Sequence, residues 1–290
     1  MQAMTETISS AANPLAKRIR LLASRKHRRE QGTFVVEGIQ PVWRAIQAGW
    51  EIEVLVATAE LARSESPAAK MIADQESRGL RVALLSAELF QRLSEREGPS
   101  GLAAIVRSKS PRLADLRVQP GSVFVALHRI GNPGNLGTII RTVDAVGGSG
   151  VVLVGETTDP FAPAAVKASM GSLFAVDVAQ AADARAFFDW ASTNGVLVLA
   201  TSGGADQDHW NTTYHPPLAI LLGSEGEGLP ADVLARADAR IRIPMTGTAE
   251  SLNLAAAAAV MLYEARRHTF GGPASHSSWK LSQGPGMMAS

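Results

Sequence analysis

The stretch from Asn132 to Asp144, NPGNLGTIIRTVD, constrains this chain more than any other. It follows the apolar run Val123 to Leu127, which has the length and composition of a buried strand. It passes directly into Ile139, Ile140, Val143 and Val146, spaced as on one face of a helix. A strand, a Gly/Pro/Asn turn and a helix in succession put Asn135 and Gly137 near the helix start and Arg141 within its first turns. Helix N-terminal N–H groups beside a guanidinium make an anion or phosphate site.

The same alternation runs through the chain and predicts an α/β fold in two parts. Before residue 108, strands are expected at Thr33 to Val36, Ile52 to Ala57, Arg81 to Leu85 and Leu102 to Val106. Helices are expected at Leu15 to Arg29, Pro41 to Ala48, Ala68 to Ser77 and Ala87 to Glu95. The segment Ser108 to Ser122, with two prolines and mixed charge, breaks the pattern as a linker would. Beyond it, strands are expected at Ser122 to Leu127, Gly150 to Val154, Leu173 to Val178, Val196 to Ala200, Leu218 to Leu222 and Arg240 to Ile243. Helices fall at Gly137 to Ala145, Ala162 to Ala168, Ala181 to Ser192 and Ser251 to Arg267. These strands are runs of Val, Leu and Ile, the pattern of a sheet covered on both faces. The boundaries that result are a disordered start over 1–14, a small α/β domain over 15–107, a linker over 108–121, a larger α/β domain over 122–270 and a disordered tail over 271–290.

Composition narrows the partners. The chain of 290 residues is 46% hydrophobic and 19% charged with a formal net charge of +1, which describes a soluble globular protein. No uninterrupted apolar run reaches membrane-spanning length and the start carries no signal core, so a cytoplasmic protein without a membrane partner is expected. With no cysteine there is no disulfide, thiolate metal site or cysteine nucleophile, and the six histidines show no metal-ligand spacing; no metal is expected. The near-neutral total conceals one asymmetry. From Lys17 to Arg29 there are seven Lys or Arg and no acid: Lys17, Arg18, Arg20, Arg25, Lys26, Arg28 and Arg29. On an amphipathic helix they form either a solvated face or, since the sign is one-sided, a nucleic-acid contact.

Two later stretches carry further polar chemistry. LLGSEGEGLP, Leu221 to Pro230, ends a buried strand in alternating glycines and two carboxylates, suited to close backbone approach and to hydrogen bonding of hydroxyls or amines. An ordinary glycine-rich loop would read the same. IPMTGTAESLNLAAAAAVMLYEARR, Ile243 to Arg267, ends a strand at Ile243-Pro244. It opens an alanine-rich helix with Glu250 or Ser251 as its cap, and Asn253 follows unexplained by a cap. His128 and Arg129, at the end of the strand before the lead stretch, either touch substrate or serve structure. No nucleophile elbow, Walker loop or aromatic stacking platform is present.

In this order the three stretches resemble the signature of the SpoU (TrmH) family of RNA ribose 2′-O-methyltransferases. NPGNLGTIIRT matches the first motif, LLGSEGEGL the second and IPMTGTAESLNLAAAAAVMLYE the third. KASMGSLF, Lys167 to Phe174, is similar to the connecting segment, and KHRREQGTFVVEGIQPVWRAI, Lys26 to Ile46, to the substrate-binding domain of rRNA-directed members. The resemblance implies a trefoil-knotted C-terminal α/β domain of the SPOUT type, an exception to the rule against threaded chains, preceded by an RNA substrate-binding domain. It implies S-adenosylmethionine as cofactor, held by Thr201, Ser202, Gly203, Leu222, Gly223, Ile243, Met245, Ser251 and Leu252, and a homodimer with the last helix near the interface.

The catalytic residues implied are Asn135, Arg141, Glu225, Ser251 and Asn253. An arginine is a poor base, because it stays protonated in proteins. Arg141 is therefore expected to grip the adjacent phosphate and stabilise the developing alkoxide, with Glu225 positioning it and Asn135, Ser251 and Asn253 orienting it or the ribose. The substrate expected is large-subunit (23S) rRNA, since tRNA members often lack the N-terminal domain. Antibiotic-producer resistance enzymes share the two-domain layout. A tRNA 2′-O-methyltransferase and a non-catalytic RNA-binding protein on the same scaffold are the alternatives. A nucleotide-dependent oxidoreductase lacks its Gly-x-Gly-x-x-Gly at a helix start.

Overall fold

In the computed structural model, residues 7–94 and 98–270 are described, with side chains up to 267. The expected tail over 271–290 and the first six residues lie outside them. The N-terminal part runs α1 (Pro14–Leu21), α2 (Arg25–Gln31), β1 (Thr33–Glu37), α3 (Ile39–Gln47), β2 (Ile52–Thr58), α4 (Ala59–Arg63), α5 (Pro67–Ser77), β3 (Val82–Leu85), α6 (Ala87–Leu93) and β4 (Leu102–Arg107). Its four strands lie in the order β1-β4-β2-β3, with β4 antiparallel to both neighbours and β2 parallel to β3.

The C-terminal part runs β5 (Val123–His128), α7 (Pro133–Ala145), β6 (Gly150–Val154), α8 (Pro163–Ser169), β7 (Val178–Ala181), α9 (Ala184–Thr193), β8 (Leu197–Thr201), β9 (Gln207–Asp208), β10 (Leu218–Leu222), α10 (Ala231–Ala235), β11 (Ala239–Arg242) and α11 (Leu254–Phe270). Its seven strands are all parallel, in the order β7-β6-β5-β10-β8-β11-β9. Every residue of β5, β6 and β10 is buried, as strands covered on both faces must be. The order is consistent with the knotted topology that the motif resemblance implies.

Several expectations are corrected. The start is ordered from residue 7: Ile8 extends the first sheet, its N–H donating to the Leu84 carbonyl at 2.8 Å, and Asn13 caps α1 through its side chain. The single basic helix over Leu15 to Arg29 is two helices, broken where Leu22 turns into the core. Leu173 to Val178 is not a strand. Ser172–Phe174 forms a single 3₁₀ turn and the strand begins at Val178, which moves the next helix start to Ala184 behind the cap Asp183. The stretch over 108–121 is no free linker, since Leu116 is buried in the core beside α9.

The two sheets are joined by a shared core. Phe34 of β1 lies 4.7 Å, centroid to centroid, from Phe161, and Trp50 lies 5.2 Å from Phe174 while its indole N–H donates to the Phe174 carbonyl at 3.2 Å. These rings explain why Phe174 leaves the sheet: it packs across the seam. Phe34 and Phe174 are buried and Trp50 and Phe161 partly so, and full burial of a side chain of that size contributes roughly 1.5–3 kcal/mol, so the seam is a packed interior rather than a hinge.

Candidate active site

The parallel register sets Leu127 of β5 against Leu222 of β10, so both strands end at the same edge. The first and second motif stretches are the loops leaving those ends. This is the crevice beyond the strand carboxyl ends where open α/β sheets bind ligands. In the first loop Asn132 caps α7, its Oδ1 accepting from the N–H groups of Gly134 at 2.8 Å and Asn135 at 3.1 Å, and Pro133 takes the first helical position. The helix thus starts four residues earlier than expected. Gly137 lets α7 press on α8, because a Cβ there would fall 2.3 Å from the Ala165 carbonyl oxygen. In the second loop the chain doubles back through paired bonds between Ser224 and Gly228, so tightly that a Cβ on Gly223 would sit 2.1 Å from the Gly228 carbonyl carbon. Alanine fits at neither position without moving backbone.

A polar chain ties the three motifs together. The Glu225 carboxylate accepts from the N–H of Gly131 at 3.2 Å, the N–H of Asn132 at 3.2 Å and the side-chain amide of Asn135 at 3.1 Å. The Asn135 Oδ1 accepts from Asn253 Nδ2 at 3.1 Å, and Asn253 Oδ1 accepts from the N–H of Ala255 at 2.9 Å at the start of α11. Partial burial pushes the Glu225 carboxyl upward in pKa, but the hydrogen bond from Asn135 and those from backbone amides outweigh it and hold the group below the usual range. Glu225 is therefore a fixed carboxylate.

Beside this chain opens a cleft of about 600 Å³, within the usual range for small-molecule sites. Three loops converge on it: Thr201 to Gly203 after β8, Leu222 to Leu229 after β10, and Ile241 to Met245 with Glu250 to Leu254 between β11 and α11. All nine residues expected to hold the cofactor line it. Apolar Leu222, Ile243, Leu252 and Met261 offer a surface for a flat ring, while Glu227 and Glu250 offer carboxylates to a cationic group. That donor set fits S-adenosylmethionine, which joins an adenine, an amino acid and a sulfonium. Of the expected catalytic residues, Glu225, Ser251 and Asn253 also line the cleft, and Asn135 is bonded to two of them.

Three role assignments change. Glu225 bonds to Asn135 and two backbone amides rather than to Arg141. Arg141 lies exposed on α7 and makes no hydrogen bond or ion pair among the described residues. The cap of α11 is Asn253, not Ser251 or Glu250, so Ser251 faces the cleft without a capping duty.

The basic run also divides. Lys17, Arg20, Arg25, Lys26 and Arg29 are exposed, but Arg28 is buried and cannot serve as an RNA contact. It pairs with Asp159 of the other half at 2.7 Å and donates to the Leu22 and Ala23 carbonyls, a structural clasp across the seam. Arg18 is drawn to Glu53 at 2.5 Å. Arg25 reaches the Thr157 carbonyl at 3.1 Å while remaining on the surface.

Sequence reasoning missed Glu227, Glu250, Leu254, Ala257 and Met261 of the cleft wall. Glu227 was visible as the second carboxylate of its loop; the inward turn of Ala257 and Met261 needed the helix orientation. Of the pair left open, His128 is buried, and burial with help from Arg129 lowers its pKa. Arg129 is exposed with a left-handed backbone, φ 55°, a strained conformation directly before the loop that grips Glu225. Among the described residues no three His, Asp or Glu could hold a metal, and no helix is long and apolar enough to cross a membrane.

Comparison with known proteins gives a consistent result. Residues 122–263 match the SpoU rRNA Methylase family and residues 13–104 the MRM3-like substrate binding domain. A 23S rRNA (guanosine(2553)-2′-O)-methyltransferase of Bacillus subtilis is 31% identical, over 89% of this chain and 98% of its own. A 23S rRNA (uridine(2479)-2′-O)-methyltransferase of Streptomyces viridochromogenes is 30% identical, over 87% and 88%. The crystal structure of an AdoMet-bound rRNA methyltransferase from Sinorhizobium meliloti superposes with a TM-score of 0.83 at 40% identity, over 91% of this chain and 98% of that one.

Proposed function

The chain belongs to the SpoU family of rRNA methylases, and on that premise we propose that it methylates a ribose 2′-hydroxyl of large-subunit rRNA with S-adenosylmethionine, using the residues around Glu225, Asn135 and Asn253. The observation that carries this reading is the bridge Glu225–Asn135–Asn253, which draws all three motifs to the mouth of the cleft. The choice of 23S rRNA over tRNA rests on the full-length relatives named for it and on the N-terminal domain.

When bound, the cofactor supplies a methyl group on a positively charged sulfur. The protein's part is placement. Thr201 to Gly203, Leu222, Gly223, Ile243, Met245, Ser251 and Leu252 hold the cofactor in the cleft. Asn135, Asn253 and Ser251 orient the ribose, with Glu225 locking Asn135. Arg141, an exposed guanidinium without a partner among the described residues, is available to the phosphate next to the target ribose. There it stabilises the negative charge growing on the 2′-oxygen while the proton leaves to phosphate or water. Orientation of the two reactants is the main catalytic resource.

The working unit is a homodimer and the setting cytoplasmic. Support for the dimer is the exposed apolar strip on α11, with Val260 37% and Tyr263 60% exposed beside Ala145 at the end of α7. Sedimentation velocity tests it, a monomer at micromolar concentration counting against it. The function is tested by incubating purified protein and labelled cofactor with 23S, 16S and tRNA substrates, then mapping reverse-transcription stops at low nucleotide concentration. A stop at one 23S position supports the reading; label in tRNA alone, or none despite cofactor binding, rejects it.

A further inference from the structure

A second cavity, of about 250 Å³, lies on the seam between α1, β1 and α6 of the N-terminal part and α8 of the C-terminal part. Its walls are aliphatic, from Leu22, Val35, Leu93 and Val166. Inside stands one carboxylate, Glu37, whose Oε1 accepts a hydrogen bond from the Ser94 hydroxyl at 2.5 Å. Arg20, Arg92 and Lys167 line it as well, and none of the three makes an ion pair or side-chain hydrogen bond among the described residues. Among the described residues, these three cations face one carboxylate, which leaves that part of the lining positive. The cavity is smaller than the roughly 300–1,000 Å³ of a whole small-molecule site, so it suits one flat ring with an anionic group outside.

The geometry points to this cavity as a pocket for a single unpaired RNA nucleotide that carries hydrogen-bond donors on its base edge, guanine best of all. RNA readers take bases from unpaired segments, sandwich them between side chains and bond their Watson–Crick edges. Here aliphatic walls face the ring. A carboxylate accepts only, and guanine presents an adjacent ring N–H and amino group to it. Uracil offers a single ring N–H flanked by two carbonyl oxygens that face the same charge. The cations at the rim take the flanking phosphates. Lys167 begins the KASMGSLF segment, for which the methyl-transfer site gives no duty. On α8 it shares a face with Pro163, away from the Ala165 and Ala168 face that packs on Gly137 of α7. One helix thus joins the base pocket to the helix that carries Asn135 and Arg141. The inference rests on the RNA-modifying reading above and adds a base preference outside the target nucleotide.

The test is fluorescence anisotropy with labelled heptamers, all uridine or with a single central G, A or C, and needs no turnover. The wild type should bind the G heptamer about tenfold or more tighter than the all-uridine one, the scale of a directional base-edge contact. Glu37→Gln keeps an acceptor for Ser94 but presents an amide N–H₂, so it should erase or reverse that preference. Lys167→Glu should weaken all four heptamers alike. Equal binding of the four by the wild type, no binding of any, or a guanine preference that survives in Glu37→Gln overturns the proposal. Calorimetry with S-adenosylmethionine on each variant reports an intact fold. A wild type that binds no cofactor defeats the methyltransferase reading instead, separately from the pocket.

Discussion

Asn253 donates its side-chain N–H to the Oδ1 of Asn135 at 3.1 Å, across 118 positions of sequence. The direction of this bond is dictated from both sides. Glu225 can only accept, so Asn135 must turn its amino group toward it and its oxygen toward Asn253. Asn253 must then give its amino group to Asn135, which leaves its own oxygen to cap α11. One ionised carboxylate thereby fixes the orientation of two amides and the start of the last helix.

Replacing Asn253 separates its two duties. Asn253→Ala loses the cap and the bridge and should cost about 1 kcal/mol of stability, as cap removals do. Asn253→Asp restores a capping oxygen but offers Asn135 no donor. Its thermal midpoint should therefore recover most of the alanine loss while methyl transfer stays as low as in the alanine variant. Equal activity of the aspartate variant and the wild type would show that the bridge is dispensable.

Glu225 makes a pH prediction whose sign is fixed. Its folded pKa is depressed, because hydrogen bonds to the carboxylate from Asn135, Gly131 and Asn132 outweigh burial. Its contribution is therefore fully present above about pH 4.3, the ordinary glutamate value, and is lost as pH falls through the lower folded value. Denaturant unfolding of wild type and Glu225→Gln should differ by a constant amount near neutrality, and the gap should close in acid. A gap that persists unchanged at pH 3 would contradict the assignment.

How much was legible in the sequence follows from where each signal resides. The strand, turn and helix around NPGNLGTIIRTVD and the loops at Gly223 and Ile243 are local chemistry, and their convergence follows from a parallel sheet whose strands end on one side. The sequence puts the cap of α11 at Glu250 or Ser251, because Ser caps almost as well as Asn. Only the demand of Asn135 for a donor selects Asn253. Phe174 misled because a short apolar run reads alike as strand or core turn, and its ring packs on Trp50 from the other half of the chain. Arg28 was indistinguishable from its basic neighbours, since its partner Asp159 lies 131 positions away.

That clasp yields a contrast between two adjacent arginines. Arg28 and Asp159 are 6% and 12% exposed, so removing one partner strands a charge in the interior, which typically costs about 3–5 kcal/mol. Arg28→Ala should lower the unfolding midpoint sharply. Arg29→Ala, one position on and exposed, should leave stability within about 0.5 kcal/mol but weaken rRNA binding and flatten its salt dependence. A stable Arg28→Ala variant with impaired RNA affinity would return Arg28 to the RNA face.

Arg141 offers the sharpest test of the chemistry. It is exposed on α7 and has no partner among the described residues, so its removal disturbs no bond that holds the fold. It also lies outside the cleft lining, which leaves the cofactor contacts intact. Arg141→Ala should therefore unfold at the wild-type temperature and bind S-adenosylmethionine with unchanged affinity in calorimetry. Single-turnover methyl transfer should nonetheless fall by about 10²–10³, the loss seen when one electrostatic stabiliser of a developing oxyanion is removed. Arg141→Lys keeps the charge but not the bidentate fork, and should recover part of the rate if charge alone matters. Little recovery would mean that the fork's grip on the phosphate sets the geometry. Full activity in the alanine variant would remove Arg141 from the reaction and leave placement by Asn135, Ser251 and Asn253 to account for the rate.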